Sequence, residues 1–186
     1  EIGGDWYYFG EDGYALHSGW FHGPDGAWYY LKDDCRMYTG WLGLDGRWFY
    51  LNTQDTTGHP KGSMMTGWIY VGNYWYYMNP QTDERGEQGS ALTGFFDVGD
   101  YTYYCRPEND GHPQASMATG WQLIDGDWHY FNPNLNCQPV GSMMMNHWVE
   151  DGGRKYYLKD DGVMAASETL TISGKEYTFN GSGEMM

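Results

Sequence analysis

The sequence has little of what usually builds a protein core. Leucine and isoleucine are scarce, and no apolar run is longer than a few residues. No segment therefore reads as a leader peptide or a membrane-spanning helix. Apolar residues never recur at helical spacing, which excludes a helical bundle. Basic residues are also few. Lys and Arg total 10 against 25 Asp and Glu, for a net charge of -15. Nucleic acid and anionic membranes are poor partners for such a surface, and a cationic or zwitterionic ligand is a better one. Three cysteines, Cys35, Cys105 and Cys137, make neither a disulfide framework nor a zinc motif.

Aromatic residues and glycine are abundant instead. Aromatics make up 19% of the 186 residues, and glycine numbers 28. Mean hydropathy is low at -0.72. Disordered chains share that low value but are poor in rings, so this chain folds, with a core built from aromatics.

The rings recur in register. "SGWFHGPDGAWYYLK", "TGWLGLDGRWFYLN", "TGWIYVGNYWYYMN", "TGFFDVGDYTYYCR", "TGWQLIDGDWHYFN" and "NHWVEDGGRKYYLK" share one pattern. A lead aromatic follows glycine, then comes a turn rich in Asp and Gly, then Trp-Tyr-Tyr and an apolar residue. The lead residues are Trp20, Trp41, Trp68, Phe95, Trp121 and Trp148, spaced 21, 27, 27, 26 and 27 apart. A worn seventh copy begins at Leu170, and a half copy, "GGDWYYFG", precedes the first. The expected organisation is a partial repeat over 1–18, six hairpin repeats over 19–168 and a degenerate repeat over 169–186. Together they form one continuous domain that is a fragment of a larger protein.

Each unit reads as a β-hairpin. Aromatics favour strands, and Asp-Gly between them favours a tight turn. An isolated hairpin is marginal in water, so the units must stack. The predicted fold is all-β, a solenoid of stacked hairpin repeats. Longer units carry extra Pro-, Gly-, Asn- and Asp-rich loops, "TQDTTGHPKGS", "PQTDERGEQGS", "PENDGHPQAS" and "PNLNCQPVGS". Four residues before the lead aromatic a methionine closes the loop, at Met37, Met64, Met117 and Met144, with Ala91 in one unit.

Strand alternation sends the first and third residues of "WYY" to one face and the middle residue to the other. A lead tryptophan and a first-position tryptophan would flank one hairpin edge, with the middle ring of the next unit facing them. Such a cage of rings attracts a cation, best a quaternary ammonium, which is weakly hydrated and needs no hydrogen bonds. The third-position rings, Tyr30, Tyr50, Tyr77, Tyr104, Tyr130 and Tyr157, are expected to be structural.

The order "TGW…DGRWFYLN…GSMMTGW" resembles the choline-binding, or cell-wall-binding, repeats of Gram-positive surface proteins. Related repeats occur in glucan-binding regions and in clostridial toxins. The resemblance implies a left-handed hairpin solenoid. It also implies sites for choline or phosphocholine of wall teichoic acids, each made of two Trp from one repeat with an aromatic and a Met from the next. Carried onto this chain, the cages are Trp20 and Trp28 with Phe49 and Met64, and Trp68 and Trp75 with Tyr103 and Met117. A third is Trp121 and Trp128 with Tyr156 and Met164. A fourth, Trp41 and Trp48 with Tyr76, has Ala91 at its methionine position. Two intervals depart from the pattern. Thr102 replaces a tryptophan beside Phe95, with His129 facing it, and Lys155 replaces one beside Trp148; neither is expected to bind choline.

The resemblance implies a secreted, non-catalytic module on the bacterial surface. No cofactor or metal is expected. The six histidines form no nucleophile motif, and the Asp pairs fall at turns where Asp caps backbone groups. Two other readings stay open. One is a carbohydrate or host surface protein bound by ring stacking and the long loops. The other is a plain stalk between other domains.

Overall fold

The computed structural model describes residues 1–134 and 137–186. The loop "PNLNCQPVGS" thus has two of its residues, 135 and 136, outside the described set. The described chain has fourteen strands and no helix. In order they are β1 (Gly19–His22), β2 (Trp28–Leu31), β3 (Gly40–Leu44), β4 (Arg47–Leu51), β5 (Gly67–Val71), β6 (Tyr74–Met78) and β7 (Gly94–Val98). They continue as β8 (Tyr101–Cys105), β9 (Gly120–Ile124), β10 (Asp127–Phe131), β11 (His147–Asp151), β12 (Arg154–Leu158), β13 (Thr169–Ile172) and β14 (Lys175–Thr178). Successive strands pair antiparallel into seven separate two-stranded hairpins. The chain divides into two compact units, Glu1–Leu92 with β1 to β6 and Thr93–Met186 with β7 to β14.

The turns explain the glycines. Asp45-Gly46, Gly72-Asn73, Asp125-Gly126, Gly152-Gly153 and Ser173-Gly174 all have positive φ at both residues. That is the two-residue turn whose twist matches paired strands.

Register fixes which ring goes where. In every hairpin from β1 to β12 the lead residue faces the third-position ring across the ladder, as in Trp41↔Tyr50, Trp68↔Tyr77 and Trp121↔Tyr130. The residue after the lead faces the middle ring, as in Leu42↔Phe49 and Val149↔Tyr156. These inward positions, with the fourth residue of the second strand, form the core. Leu51, Met78, Cys105, Phe131 and Leu158 are wholly buried. In two hairpins the middle ring lies deeper than the third-position ring: Phe49 and Tyr103 are buried, while Tyr50 and Tyr104 are half-buried.

Hairpins are joined through their loops. The closing residue of one repeat donates its N–H to the first-position carbonyl of the hairpin before. In the first unit Met37 donates to Trp6 at 2.8 Å, Met64 to Trp28 at 2.7 Å and Ala91 to Trp48 at 2.7 Å. In the second unit Met143 donates to Thr102 at 2.7 Å, Met164 to Trp128 at 2.8 Å and Met185 to Lys155 at 2.9 Å. The closing side chain then lies over the glycine two residues before the next closing position. A Cβ on Gly62 would come within 2.2 Å of Met37 Sδ, and one on Gly141 within 2.2 Å of Met117 Sδ.

This pattern corrects two positions read from spacing. Met143, not Met144, closes the loop before Trp148, because Phe131 bridges to Met143 as Leu158 does to Met164. Asn146, with φ of 49°, adds the extra residue. The last copy has Thr169, not Leu170, in the lead position. Thr169 faces Thr178, and the buried Phe179 bridges to Met185 as the fourth residue of its hairpin.

Candidate aromatic cages between repeats

The lead tryptophans are held between two rings. In the second unit Trp121 meets Tyr130 of its own hairpin at 4.9 Å and Tyr156 of the next at 5.1 Å, both edge-on. Trp128 stands at right angles to Trp121, 6.3 Å away and 87° inclined. Trp128 is 42% exposed and closes the outer side. Met164 packs with Trp121, Tyr130 and Tyr156 on the buried cluster of Met144, Val149 and Leu158. All four expected residues of this set are therefore together. Spacing gave no sign of Asp151, whose carboxylate accepts the Trp121 indole N–H at 3.2 Å. A negative charge at the rim strengthens the attraction for a cation.

The first unit holds one comparable set and one in which the two tryptophans have separate ring partners. Trp41 and Trp48 lie 6.5 Å apart at 90°, and Tyr76 is 4.7 Å from Trp41. Ala91 is hydrogen-bonded beneath Trp48, so this wall is shorter by a thioether. Trp20 meets Phe49 at 5.1 Å and Tyr30 at 5.3 Å. Trp28 stands over His22 at 4.8 Å. Met64 packs into the cluster of Leu42, Phe49 and Leu51. Trp28 and Met64 also border a cleft of about 510 Å³ shared with Asp55, His59 and Gln88. One long loop thus extends this site with polar groups. Asn52 shapes that loop by donating to the His59 carbonyl at 2.7 Å, and Asn79 holds the next loop through Gly86 at 2.9 Å.

The remaining predicted set falls on both units. Trp68 and Trp75 lie 6.5 Å apart at 85° in the first. Tyr103 is buried in the second, where Met117 bridges to Cys105.

One further grouping escaped the repeat count because it uses the half copy. Trp6, Tyr29 and Met37 border a cleft of about 350 Å³ with Tyr8 and Phe21. Tyr29 donates its hydroxyl to Asp25 at 2.6 Å. Burial, then this carboxylate, raises the phenol well above its ordinary pKa, and the bond draws Asp25 below the usual carboxylate value. The local signal is Trp6 itself, the first ring of "WYY" in the half copy, and Met37 donates its N–H to the Trp6 carbonyl as Met64 does to that of Trp28.

The two departing intervals differ from the cages in chemistry, not in backbone. Trp148 meets Tyr177 at 4.9 Å, as Trp121 meets Tyr156. Lys155, however, borders the same cleft, and Lys175 places its ammonium 5.1 Å from the Tyr177 ring centre. The protein's own cations already stand at the rings. At the other interval Phe95 meets His129 at 5.4 Å, and Thr102 donates to Asp97 at 2.6 Å.

Among the described residues Cys35, Cys105 and Cys137 form no disulfide. No group of three His, Cys, Asp or Glu side chains among them could hold a metal ion.

An all-β stack of hairpins with ring-lined clefts between consecutive repeats defines a class of repeat protein. A choline-binding repeat model matches residues 118–169, and a putative cell wall binding repeat model matches 1–15, 18–34 and 66–81. The chain belongs to this choline-binding and cell-wall-binding repeat family. Among solved structures it is similar to CbpJ of Streptococcus pneumoniae, with 30% identity and a TM-score of 0.75 over 97% of this chain and 56% of that one. Choline binding protein F of the same organism, crystallised with a peptidoglycan analogue, gives 29% identity and a TM-score of 0.76 over 100% of this chain and 56% of that one. The modular autolysin LytC of S. pneumoniae, in complex with a synthetic peptidoglycan ligand, gives 26% identity and 0.68 over 100% and 37%. The chain thus spans about half the length of the first two. No curated protein matches it.

Proposed function

We propose that this chain is a non-catalytic module that holds choline or phosphocholine groups of bacterial cell-wall polymers in its inter-repeat cages. The observation that carries this reading is the set Trp121, Trp128, Tyr156 and Met164. Trp128 stands at right angles to Trp121, Tyr156 meets Trp121 edge-on, and the Asp151 carboxylate adds negative charge beside them. Each face contributes about 0.5–2 kcal/mol to a cation, depending on desolvation. A trimethylammonium group fits because it presents methyl groups to rings and asks for no hydrogen-bond acceptor. The net charge of -15 favours its approach. The sets at Trp41 and at Trp20 are assigned the same role. The intervals at Phe95 and Trp148 are not. Several weak sites on one polymer act together through effective concentration.

In this role the chain is exported and sits on the cell surface, tethering whatever it is joined to. The reading calls for no cofactor and no metal. The test is calorimetric titration with choline, using the wild type and Trp128→Ala. Trp128 is exposed, so its loss should weaken binding and leave the fold alone. No heat from the wild type at tens of millimolar choline, roughly the limit for a few weak faces, would contradict the proposal.

A second reading is favoured by one observation. The loop 53–63 brings His59 and Asp55 to the cleft of Trp28 and Met64, together with Gln88 from the next loop. These groups suit the hydroxyls of a glycan. A saccharide response abolished by His59→Ala would favour it.

A further inference from the structure

The closing methionines carry a sulfur into a tight seat. A Cβ on Gly89 would stand 2.3 Å from Met64 Sδ, and one on Gly183 would stand 2.5 Å from Met164 Sδ. Met37 over Gly62, Met117 over Gly141 and Met143 over Gly162 repeat the arrangement. Each thioether therefore rests on bare backbone, where no side chain fits. The seat also links two loops. Met64 donates its N–H to the Trp28 carbonyl, while its sulfur lies over Gly89, two residues before Ala91, which donates to Trp48. A change at this one sulfur reaches two neighbouring intervals.

The 11 methionines differ in their access to solvent. Met78 is wholly buried and Met144 nearly so. Met145 and Met186 are exposed, and neither occupies a glycine seat. Met64 and Met164 are half-buried, are seated on glycine and stand in cage walls. Met64 borders the open cleft of about 510 Å³ beside Trp28 and packs on Leu42, Phe49 and Leu51. Met164 packs with Trp121 and Tyr156 on Val149 and Leu158.

We propose that Met64 and Met164 are oxidation sites at which a peroxide switches the cages off. The sulfur lone pair attacks one oxygen of hydrogen peroxide and the O–O bond breaks. The other oxygen takes the proton from the first and leaves as water. Sulfur gives up two electrons and becomes a sulfoxide, and no cofactor takes part. A thioether is apolar and pliant, whereas a sulfoxide is polar and carries a strong acceptor. Around Met64 the backbone donors are already engaged, Met65 N–H by Tyr50 and Gly89 N–H by Asn79. The new oxygen must therefore turn to water, which lifts the sulfur from its seat and moves the cage wall with it. Ala91, closing on Trp48, is the one such junction of the first unit with no sulfur of its own to oxidise.

The effect on choline rests on reading the cages as choline sites; the effect on the fold does not, and the test separates them. After graded exposure to hydrogen peroxide, peptide mass mapping should show sulfoxide at Met64 and Met164 well before Met78 and Met144. The oxidised protein should unfold at lower denaturant. Its calorimetric choline affinity should fall about tenfold, the scale of one buried acceptor left without a donor. A methionine sulfoxide reductase should restore both. Choline seated against the sulfur should slow oxidation at these two positions and not at Met145. Met64→Leu combined with Met164→Leu keeps the apolar bulk without an oxidisable sulfur, and should hold most of its stability and affinity through the same exposure. Met145→Leu combined with Met186→Leu should keep the wild-type sensitivity. Sulfoxide at Met64 and Met164 with unchanged unfolding would overturn the proposal, as would full peroxide sensitivity in the Met64 and Met164 double variant. A protein that loses stability on oxidation but never binds choline would keep these oxidation sites and refute the choline reading alone.

Discussion

The Trp121 and Phe95 intervals lie in the same unit, share one register and carry different chemistry. Both are closed by a methionine N–H on the first-position carbonyl, Met164 on Trp128 and Met143 on Thr102. In both, the lead ring touches the middle side chain of the next hairpin at about the same distance, 5.1 Å for Tyr156 and 5.4 Å for His129. One interval sets Trp128 and Tyr156 beside its lead ring; the other has Thr102 and His129 in those places. The scaffold tolerates the exchange because its stability sits elsewhere. The fourth-position residues, the closing methionines and the glycines beneath them hold the hairpins together. The first-position side chain faces solvent and is free to change.

The comparison can be attacked at four points. The largest effect should come from the shared core. Phe131 is fully buried and lies 6.3 Å from Phe95 and 6.0 Å from Tyr104. Phe131→Ala should cost about 3–5 kcal/mol in denaturant unfolding, since a large buried ring leaves a cavity. A smaller loss is expected from Gly141→Ala. Its φ of 81° disfavours a side chain, and its Cβ would strike Met117. Unfolding should be easier by about 1–3 kcal/mol. An unchanged midpoint would show that the methionine moves aside freely.

The next change separates binding from folding. Trp128→Ala should reduce choline affinity at its cage by about 1–2 kcal/mol, the worth of one desolvated face. Its effect on unfolding should stay within about 0.5 kcal/mol, as for other exposed positions. Thr102→Ala should leave choline affinity where it was, which sharpens the contrast. The smallest effect belongs to Asp151→Asn. The indole can still donate to the amide oxygen, so only the charge is lost. Choline affinity should fall by about 0.5 kcal/mol, and the difference should fade at high salt because the site is exposed.

Most of the scaffold was legible in the sequence. The hairpins follow from rings flanking Asp-Gly turns, and the pairing of each lead residue with its third-position ring follows from turn length. What escaped detection depends on neighbouring repeats. Met143 and Met144 are equivalent by spacing, and only the bridge to Phe131 separates them. Leu170 looked like a lead residue because it is apolar, but a polar Thr169 fills that place once Phe179 is seen as the core residue. Tyr130 and Tyr156 are both half-buried and both meet Trp121; only register divides them, pairing Tyr130 with Trp121 in one hairpin and setting Tyr156 in the next. Asp151 sits thirty residues from the indole it accepts, beyond any local pattern. The Phe95 departures were visible as Thr102 and His129, but the burial of His129 needed the fold.

The most direct measurement is a crystal structure with saturating choline. The account predicts a trimethylammonium group between Trp121, Trp128 and Tyr156 and none against Phe95. An empty Trp121 cage, or choline seated beside His129, would contradict it.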